Sequence, residues 1–310
     1  MSPTIPGVGP SLPPVDRGSA PAGRLPWYRQ RLWRTLRRGS GPFNVAFLLL
    51  VTFTAVSAPW ITSRDPTVSD PVNRLHPPAW QAKGAPVNLL GTDQLGRDVY
   101  TRLVYGARIS LVVGLGTVLI SALLGSAAGL VAGYFEGRLG TGLMRLADIQ
   151  LAFPFLLLAL AVVAAVGAGL LNVILILGIA GWATFARVVR SQVLSIKQRE
   201  YVEAVRAIGA GQSTILVRHV VPNVLTPVIV LATATVANNI VVEASLTFLG
   251  LGVQPTIPSW GSMLADARDY LAVAWWMGIF PGLALMLTVL TINLLGDWLR
   301  DYLDPTLRNI

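Results

Sequence analysis

The sequence predicts an all-α integral membrane protein with six transmembrane helices. Of its 310 residues, 53% are hydrophobic and only 13% are charged, whereas a soluble domain of this size carries about 25% charged residues. Its mean hydropathy is +0.61. Uncharged stretches long enough to cross the ~30 Å hydrocarbon core of a bilayer alternate with short charged ones. Most of the chain is therefore expected to have lipid, not water, as its solvent.

The composition also excludes several kinds of site. The chain has no cysteine and only two histidines, His76 and His219, which excludes a disulfide scaffold, a thiol nucleophile and a Cys/His-ligated zinc site. The net charge is +9, but the basic residues lie in short stretches between apolar runs. This distribution is typical of the loops of a membrane protein and argues against nucleic acid as a partner. We expect no metal site.

The first element is an N-terminal tail, residues 1–42, rich in proline and arginine. Its first half is expected to be disordered, and 24–38 is expected either to form a short basic helix on an anionic membrane surface or to remain solvated. Residues 43–61 then form the first transmembrane helix, because the run 42–61 carries no charge over twenty residues and is long enough to span the bilayer.

A polar extracytoplasmic loop is predicted over 62–107, ending in a short amphipathic helix at the membrane interface. Within that helix Asp98 and Arg102 are four residues apart, with the acid N-terminal, the favourable order for a helical ion pair. A core of five further helices, including the second span at 109–133, is expected over 108–298.

Three glycines recur at four-residue intervals in the second span: Gly125, Gly129 and Gly133. Helix association in lipid depends on close packing, and stacked glycines allow a neighbouring helix to approach closely. We therefore predict a tight helix contact at these glycines, either within the chain or against a second subunit.

The next 38 residues, 149–186, carry no charge and would extend ~57 Å as one helix, so two spans are predicted. The turn between them is placed at Gly167-Ala168-Gly169, and Pro154 is expected to kink the third span. Arg145 and Asp148 are predicted to form an interfacial pair. The remaining spans are expected at 222–246 and 271–295, separated by a Gly/Pro-broken loop, and 299–310 forms a short tail.

The basic residues indicate the orientation of these spans. With a cytoplasmic N-terminus, the inside loops hold 17 of the 24 basic residues and the outside loops hold 7. The excess of basic residues on the cytoplasmic side that is usual in membrane proteins therefore places both termini in the cytoplasm.

The coupling segment, defined here as residues 187–221, lies on the cytoplasmic side in this topology. Four of its apolar residues have helical spacing on one face: Tyr201, Ala204, Val205 and Ile208. The opposite face carries Arg199, Glu203 and Arg206. Gly209 suits the left-handed residue that ends a helix, Ser213 is a candidate cap for a second short helix, and Pro222 is expected to stop that helix. The alternative is an ordinary connecting loop on the membrane surface.

Glu203-Ala204-Val205, followed by Gly209 and Pro222, resembles the EAA loop of ABC-transporter permeases, by which these subunits dock on their ATPase, with Val205 replacing the usual alanine. The stretch 218–223, RHVVPN, is similar to the end of this loop in the dipeptide/oligopeptide/nickel branch. GTDQLGRDVYTRLVYGARISL before the second span, and EASLTFLGLG and PSWGSML after the fifth, are similar to the same branch. The resemblance extends over residues 43–305. The long outer loop before GTD indicates the "C" permease of a peptide importer.

This resemblance implies a type I ABC importer permease bundle in a bacterial inner membrane, with a cytoplasmic coupling helix. Such a chain forms the translocation path with a second permease, binds two ATPase subunits and receives substrate from an extracytoplasmic binding protein. ATP and Mg would be held by the ATPases, and no cofactor or catalytic residue is expected here, in agreement with the absence of a G-x-x-x-x-G-K-[ST] motif. The implied ATPase-coupling residues are Tyr201, Glu203, Ala204, Val205, Arg206, Ile208, Gly209 and Pro222.

The sequence leaves the identity of the cargo and the role of Glu243 open. The cargo is expected to be dipeptides or oligopeptides, with nickel or another small solute of the same branch as the alternative. A secondary transporter or an intramembrane enzyme is disfavoured because the spans carry almost no ionisable residue except Glu243. Glu243 is a candidate for an outer gate, or else a structural hydrogen-bonding group that holds the following loop. His219 is expected to donate a hydrogen bond at a helix end.

Overall fold

The computed structural model describes residues 41–135 and 137–303 of the chain. Within these ranges the chain is helical, and the only β-type pairing is an isolated bridge between Thr92 and Asp98. The predicted all-α class is thus confirmed. The expectations for the N-terminal tail and for residues 304–310 lie outside the described residues.

The helices are numbered in chain order from their positions in the structure. They are α1 (Gly41–Val56), α2 (Ala58–Ile61), α3 (Val99–Tyr134), α4 (Arg138–Leu151), α5 (Phe155–Val166), α6 (Leu170–Ala180), α7 (Trp182–Lys197), α8 (Glu200–Ala207), α9 (Gln212–Ile215), α10 (Val221–Phe248), α11 (Trp260–Ala267) and α12 (Trp276–Leu303). A 3₁₀ turn lies at Pro71–Asn73 and a π turn at Leu216–Val220.

Four helical runs among the described residues are long and apolar enough to cross a membrane: Val99–Tyr134, Leu170–Lys197, Gln212–Phe248 and Trp276–Leu303. The bent pair α4 and α5 brings the number to five if it is counted as one span. The first predicted span is represented by α1, an apolar helix of 16 residues. Length and composition therefore support four or five spans in the described part, and the predicted count of six is not confirmed.

Helix α3 is the centre of the bundle and packs against α1, α6, α7 and α10. It is one continuous helix of 36 residues beginning at Val99, so the separate interfacial helix expected before the second span is not observed. Asp98 has extended backbone geometry and caps this helix by accepting a hydrogen bond from the Thr101 N–H at 2.8 Å. The predicted Asp98–Arg102 ion pair is therefore wrong, because the acid is used as a cap.

The third span is interrupted rather than kinked. Pro154 is the N-cap of α5, and the axes of α4 and α5 differ by 88°. Helix α5 has 12 residues and extends only ~18 Å, too short to cross the membrane alone. The predicted turn is confirmed, since α5 ends at Gly167 and α6 begins after Gly169.

Two further details differ from the sequence-based expectations. Asp148 pairs with Arg187 at 2.6 Å, and not with Arg145, because the α7 side chain reaches it from the neighbouring helix. The loop after α10 contains the unpredicted helix α11, which Ser259 begins with a capping box that includes the Ser262 side chain. Helix α12 continues through Gly296 to Leu303, beyond the expected end of the sixth span.

Candidate functional site

Helix α8 is the central element of the coupling segment. Arg199 is its N-cap, Glu200 and Glu203 lie in its first turn, and Arg206 lies in its last turn. This charge order is favourable for the helix dipole. The helix ends at Ala207 with Ile208 as its C-cap, and Gly209 follows with φ of +86° and no atom within 4 Å of the position of an added Cβ. Backbone conformation alone therefore favours glycine there.

The structure divides the predicted apolar face of α8 into a buried part and an exposed part. Val202 is fully buried and Val205 is half-buried against residues of α3, α7, α9, the π turn and α10. Tyr201 is 39% exposed, Ile208 is 85% exposed and Ala204 is exposed. Helix α8 is thus anchored by its valines and presents the other apolar side chains to its surroundings.

The connection after α8 is more helical than predicted. Gly211 is the N-cap of α9, and Ser213 lies inside that helix and is not its cap. The chain then continues through the π turn into α10, so that Gln212–Phe248 forms one helical run. Pro222 lies in the first turn of α10. The prediction that Pro222 stops the helix is wrong, because the run passes it by way of the π turn, where the Val221 N–H bonds to the Leu216 carbonyl oxygen five residues back.

A small polar network connects α9, the helix after α8, to the bundle. The Tyr134 hydroxyl, at the end of α3, contacts both the Gln212 carbonyl oxygen at 2.9 Å and the Gln212 side-chain oxygen at 2.5 Å. The Lys197 ammonium donates to the Tyr134 carbonyl oxygen at 3.1 Å. The ends of α3 and α7 are thereby tied to the start of α9.

The three glycines of α3 lie against α7 of the same chain. A Cβ added at Gly125 would lie 2.3 Å from the Trp182 carbonyl oxygen, and one added at Gly129 would lie 2.5 Å from the Ala186 carbonyl oxygen. At Gly133 the nearest atom would be the Val193 Cβ at 2.8 Å. The close partner of this stripe is therefore helix α7.

Glu243 is fully buried near the end of α10. Its Oε1 accepts hydrogen bonds from the Thr247 hydroxyl at 2.9 Å and the Ser259 hydroxyl at 3.2 Å. Thr247 Oγ1 also accepts from the Val253 N–H at 3.1 Å. These contacts connect Glu243 to the start of α11 and to the loop between the two helices, the geometry expected of a structural group.

A second buried polar feature, the α3 ion cluster, consists of Asp93, Arg97, Arg102 and Asp266. Arg102 is 1% exposed in its side chain, and its Nη1 lies 2.5 Å from Asp93 Oδ2 and 2.9 Å from Asp266 Oδ2. Arg97 contacts the same two carboxylates at 2.6 and 2.9 Å. The cluster joins the loop before α3 to α11.

No group of three or more His, Asp or Glu side chains in the described ranges is arranged to hold a metal ion. Residues 125–309 match the family described as "Binding-protein-dependent transport system inner membrane component". The chain belongs to this family. The permease is thus an inner-membrane transport component that works with other components of an ABC system, and it is not an enzyme.

Curated relatives are similar over almost the whole permease. The di/tripeptide transport system permease protein DppC of Pseudomonas aeruginosa is 45% identical over 90% of this chain and 93% of its own length. A putative peptide transport system permease protein of Brucella suis is 43% identical over 89% and 90%. The glutathione transport system permease protein GsiD of Escherichia coli is 42% identical, covering 92% of each chain.

Two solved structures share the fold of the permease. An inward-facing MetNI methionine ABC transporter chain matches with a TM-score of 0.55 at 21% identity, covering 66% of this chain and 97% of that one. A chain of an amino acid ABC transporter matches with a TM-score of 0.53 at 14% identity, covering 66% and 95%. These likenesses support the type I importer permease fold.

Sequence reasoning missed two groups of residues in the permease. Val202 was not assigned to the apolar face, although it lies three residues before Val205, a spacing that places the two on one side of a helix. The α3 ion cluster was also missed. Asp93 and Arg97 are four residues apart, but Asp266 is far away in the chain, and local spacing carries no signal for that contact.

Proposed function

We propose that this chain is a membrane-spanning permease subunit of an ABC importer for dipeptides or oligopeptides. It would form the translocation path with a second permease, bind two ATPase subunits and receive peptide from an extracytoplasmic binding protein. The observation that carries this proposal is the exposed apolar side of α8. Ala204 and Ile208 are exposed on a short helix that is held by its opposite side, and Tyr201 beside them is 39% exposed, with its ring against His219.

The peptide cargo is supported by the names of the relatives, which refer to the transport of di/tripeptides, peptides and glutathione. The three relatives described above share 42–45% identity with this chain over about nine-tenths of their length, and each is named for the transport of a peptide-type solute. The sequence motifs of the dipeptide/oligopeptide/nickel branch favour the same assignment.

Both termini and the coupling segment are assigned to the cytoplasm of a bacterial cell. This assignment rests on the 17 basic residues of the inside loops against 7 outside. It places α8 on the side of the membrane where ATP is available, and ATP and Mg would be bound by the ATPase subunits.

The mechanism requires that movement of a docked α8 reach the membrane. Val202 packs in the same cluster as Ile215 and Val220, which lie in α9 and the π turn. From there the helical run Gln212–Phe248 extends ~55 Å, longer than the hydrocarbon core is thick. A displacement of α8 by the ATPase is therefore transmitted along one continuous helix into the bundle.

The coupling role is tested by reconstituting the complex and measuring ATP-driven peptide uptake. Ala204→Asp would place a charge in the docking contact, where an unpaired buried charge is strongly unfavourable, and uptake should be abolished while the subunit stays in the membrane. Gln198→Ala, just before the helix, should leave uptake nearly unchanged. Wild-type uptake and normal ATPase assembly by the Ala204→Asp complex would refute the proposal.

Gly209 provides an independent test with a matched control. The left-handed conformation disfavours a β-branched residue strongly and asparagine much less. With open space around the glycine, Gly209→Val should abolish uptake while Gly209→Asn retains most of it. Equal loss in both variants would mean that side-chain volume, and not backbone conformation, matters at this elbow.

The cargo is tested by identifying the ligand that co-purifies with the binding protein of the system. Proteoliposomes containing the complex should accumulate a labelled dipeptide in an ATP-dependent manner, and unlabelled tripeptide should compete. Accumulation of nickel without accumulation of peptide would contradict the peptide assignment while leaving the permease fold and the coupling helix intact.

A further inference from the structure

A cavity of about 370 Å³ lies where the break between α4 and α5 meets α7 and α10. The helix is broken at Pro154, whereas α6 and α7 are joined through Gly181, a single turn residue with helical backbone angles. The Gln150 side chain connects the break to this joint, because its amide donates to the Ala180 carbonyl oxygen and its oxygen accepts from the Trp182 indole. Non-helical backbone at membrane depth is tolerated only inside protein or beside a water-filled cavity.

Three helices place this cavity near the middle of the membrane. Helices α5 and α6 have 12 and 11 residues and both extend from the Gly167-Ala168-Gly169 turn to the cavity, a distance of ~17 Å. On α10, Asn238 lies ten residues before the end at Phe248, or ~15 Å. Both distances are about half of a ~30 Å hydrocarbon core.

The polar side chains that line the cavity differ in whether they already have a hydrogen-bond partner within the chain. The Gln150 amide is already hydrogen-bonded to Ala180 and Trp182, and the Asn239 amide donates to the Thr117 hydroxyl at 2.8 Å. Asn238 and Thr184 are exposed, and among the described residues neither side chain has a hydrogen-bond partner. An unpaired amide facing lipid at this depth is costly, so this face of α10 should meet water or a polar solute.

A second cavity lies beside this one, toward the end of α10 that we propose is cytoplasmic. A larger cavity of about 920 Å³ shares Ala234 with it and extends along α10 to Asn223. From Asn238 to Asn223 this strip of α10 is ~22 Å long. Arg199, the N-cap of the coupling helix, also lines the larger cavity. The strip therefore leads from mid-membrane to the site of ATPase docking.

We propose that the smaller cavity is a subsite in this chain's half of the translocation path, where the Asn238 amide and the Thr184 hydroxyl contact the main chain of a passing peptide. This inference rests on the proposed function. None of the residues lining the cavity is charged, so the cavity offers uncharged donors and acceptors that match peptide groups in any sequence. It offers no imidazole, carboxylate or thiolate for a nickel ion.

Because the chain has no cysteine, single-cysteine variants can map this strip directly. Asn238→Cys and Ala234→Cys should react with a membrane-impermeant methanethiosulfonate in the assembled complex, whose other subunits have been freed of cysteine. Leu225→Cys and Ile229→Cys are controls on the same helix, exposed but outside both cavities. We expect the first pair to react at least about tenfold faster, and a dipeptide supplied with the binding protein to slow the reaction.

Uptake measurements in the same vesicles complete the test. Asn238→Leu should lower the rate of dipeptide uptake by about tenfold, the loss typical of one hydrogen bond, while Asn238→Gln should restore most of the rate and Ile229→Leu should leave it unchanged. Slow labelling at Asn238→Cys with normal wild-type uptake would overturn the inference, because the face would then be covered by the second permease or lipid. Fast labelling without any wild-type peptide uptake would refute the proposed cargo and, with it, the peptide as occupant.

Discussion

The two ends of the bundle differ in which side chains they bury: one end encloses charged groups, and the other leaves apolar side chains exposed. At the end that we propose faces outward, called the outer end here, the α3 ion cluster and Glu243 lie largely inside the chain and bond to partners within it. At the opposite end, which we propose is cytoplasmic, Ala204 and Ile208 are exposed on α8 and Tyr201 is 39% exposed. The outer end uses residues of this chain for its polar contacts, while we propose that a partner covers the cytoplasmic end.

The difference in burial distinguishes residues that hold the fold from residues that are available to bind another protein. A buried ion pair contributes mainly by avoiding the cost of an unpaired charge, so its members hold the fold. An exposed apolar side chain on an anchored helix contributes nothing to the isolated chain and gains energy only when a second surface covers it. Substitutions at the two ends should therefore affect different measurements.

The largest stability effect is expected for Arg102→Met at the outer end. It would leave the buried carboxylate of Asp93 and the 26% exposed carboxylate of Asp266 with one cation fewer, at a cost of about 3–5 kcal/mol. The apparent melting temperature in detergent should fall by about 10 °C. Arg187→Met is the matched control, because Arg187 and Asp148 are 2.6 Å apart but both more than half exposed, and such pairs contribute ~0–1 kcal/mol. Similar melting shifts for the two variants would remove the distinction between the ends.

A smaller but clear effect is expected for Gly129→Leu, which tests the support beneath the cytoplasmic end. The new side chain would collide with the backbone of α7 at Ala186, and overpacking of this kind costs about 1–3 kcal/mol. Gly142→Leu in α4 is the control, because no atom lies within 4 Å of its added Cβ. We expect lower thermal stability and impaired uptake for the first variant only. A stable, active Gly129→Leu protein would show that the stripe is not a packing contact.

The smallest effect is expected for Glu243→Gln. The amide oxygen can still accept from Thr247 and Ser259, so the melting temperature should change by less than the equivalent of about 1 kcal/mol. Uptake should also be close to wild type if Glu243 only holds the loop. A large loss of uptake at unchanged stability would instead assign Glu243 to the outer gate.

The elements that could be predicted are those with a local signal. Uncharged run lengths gave the main helices, the paired glycines at 167 and 169 gave a turn, and the spacing around Glu203 gave the coupling helix with Gly209 at its end. Each of these depends on neighbours within a few residues. Periodicity and composition therefore contain enough information to place them.

The contacts that could not be predicted depend on tertiary packing. The sequence places Arg102 four residues after Asp98, but the fold brings Asp93 and Asp266 to its guanidinium. It shows Pro154 as a possible kink, but the observed bend is 88°, and beside it Gln150 bonds to the joint between α6 and α7, a contact between residues about 30 apart in the chain. Which side of α8 is buried also depends on where the bundle lies, which helical spacing alone does not specify.

The π turn at Leu216–Val220 sets the angular phase of α10 relative to the coupling segment. A π turn contains one residue more than the equivalent α-helical turn, and one residue corresponds to ~100° of rotation about the helix axis. Everything beyond it, including Asn238, is therefore turned by that angle compared with an uninterrupted helix. Deleting a single residue there would keep the helix and its length almost unchanged. It would, however, turn the strip of α10 from Asn223 to Asn238 away from the cavities and toward the neighbouring helices.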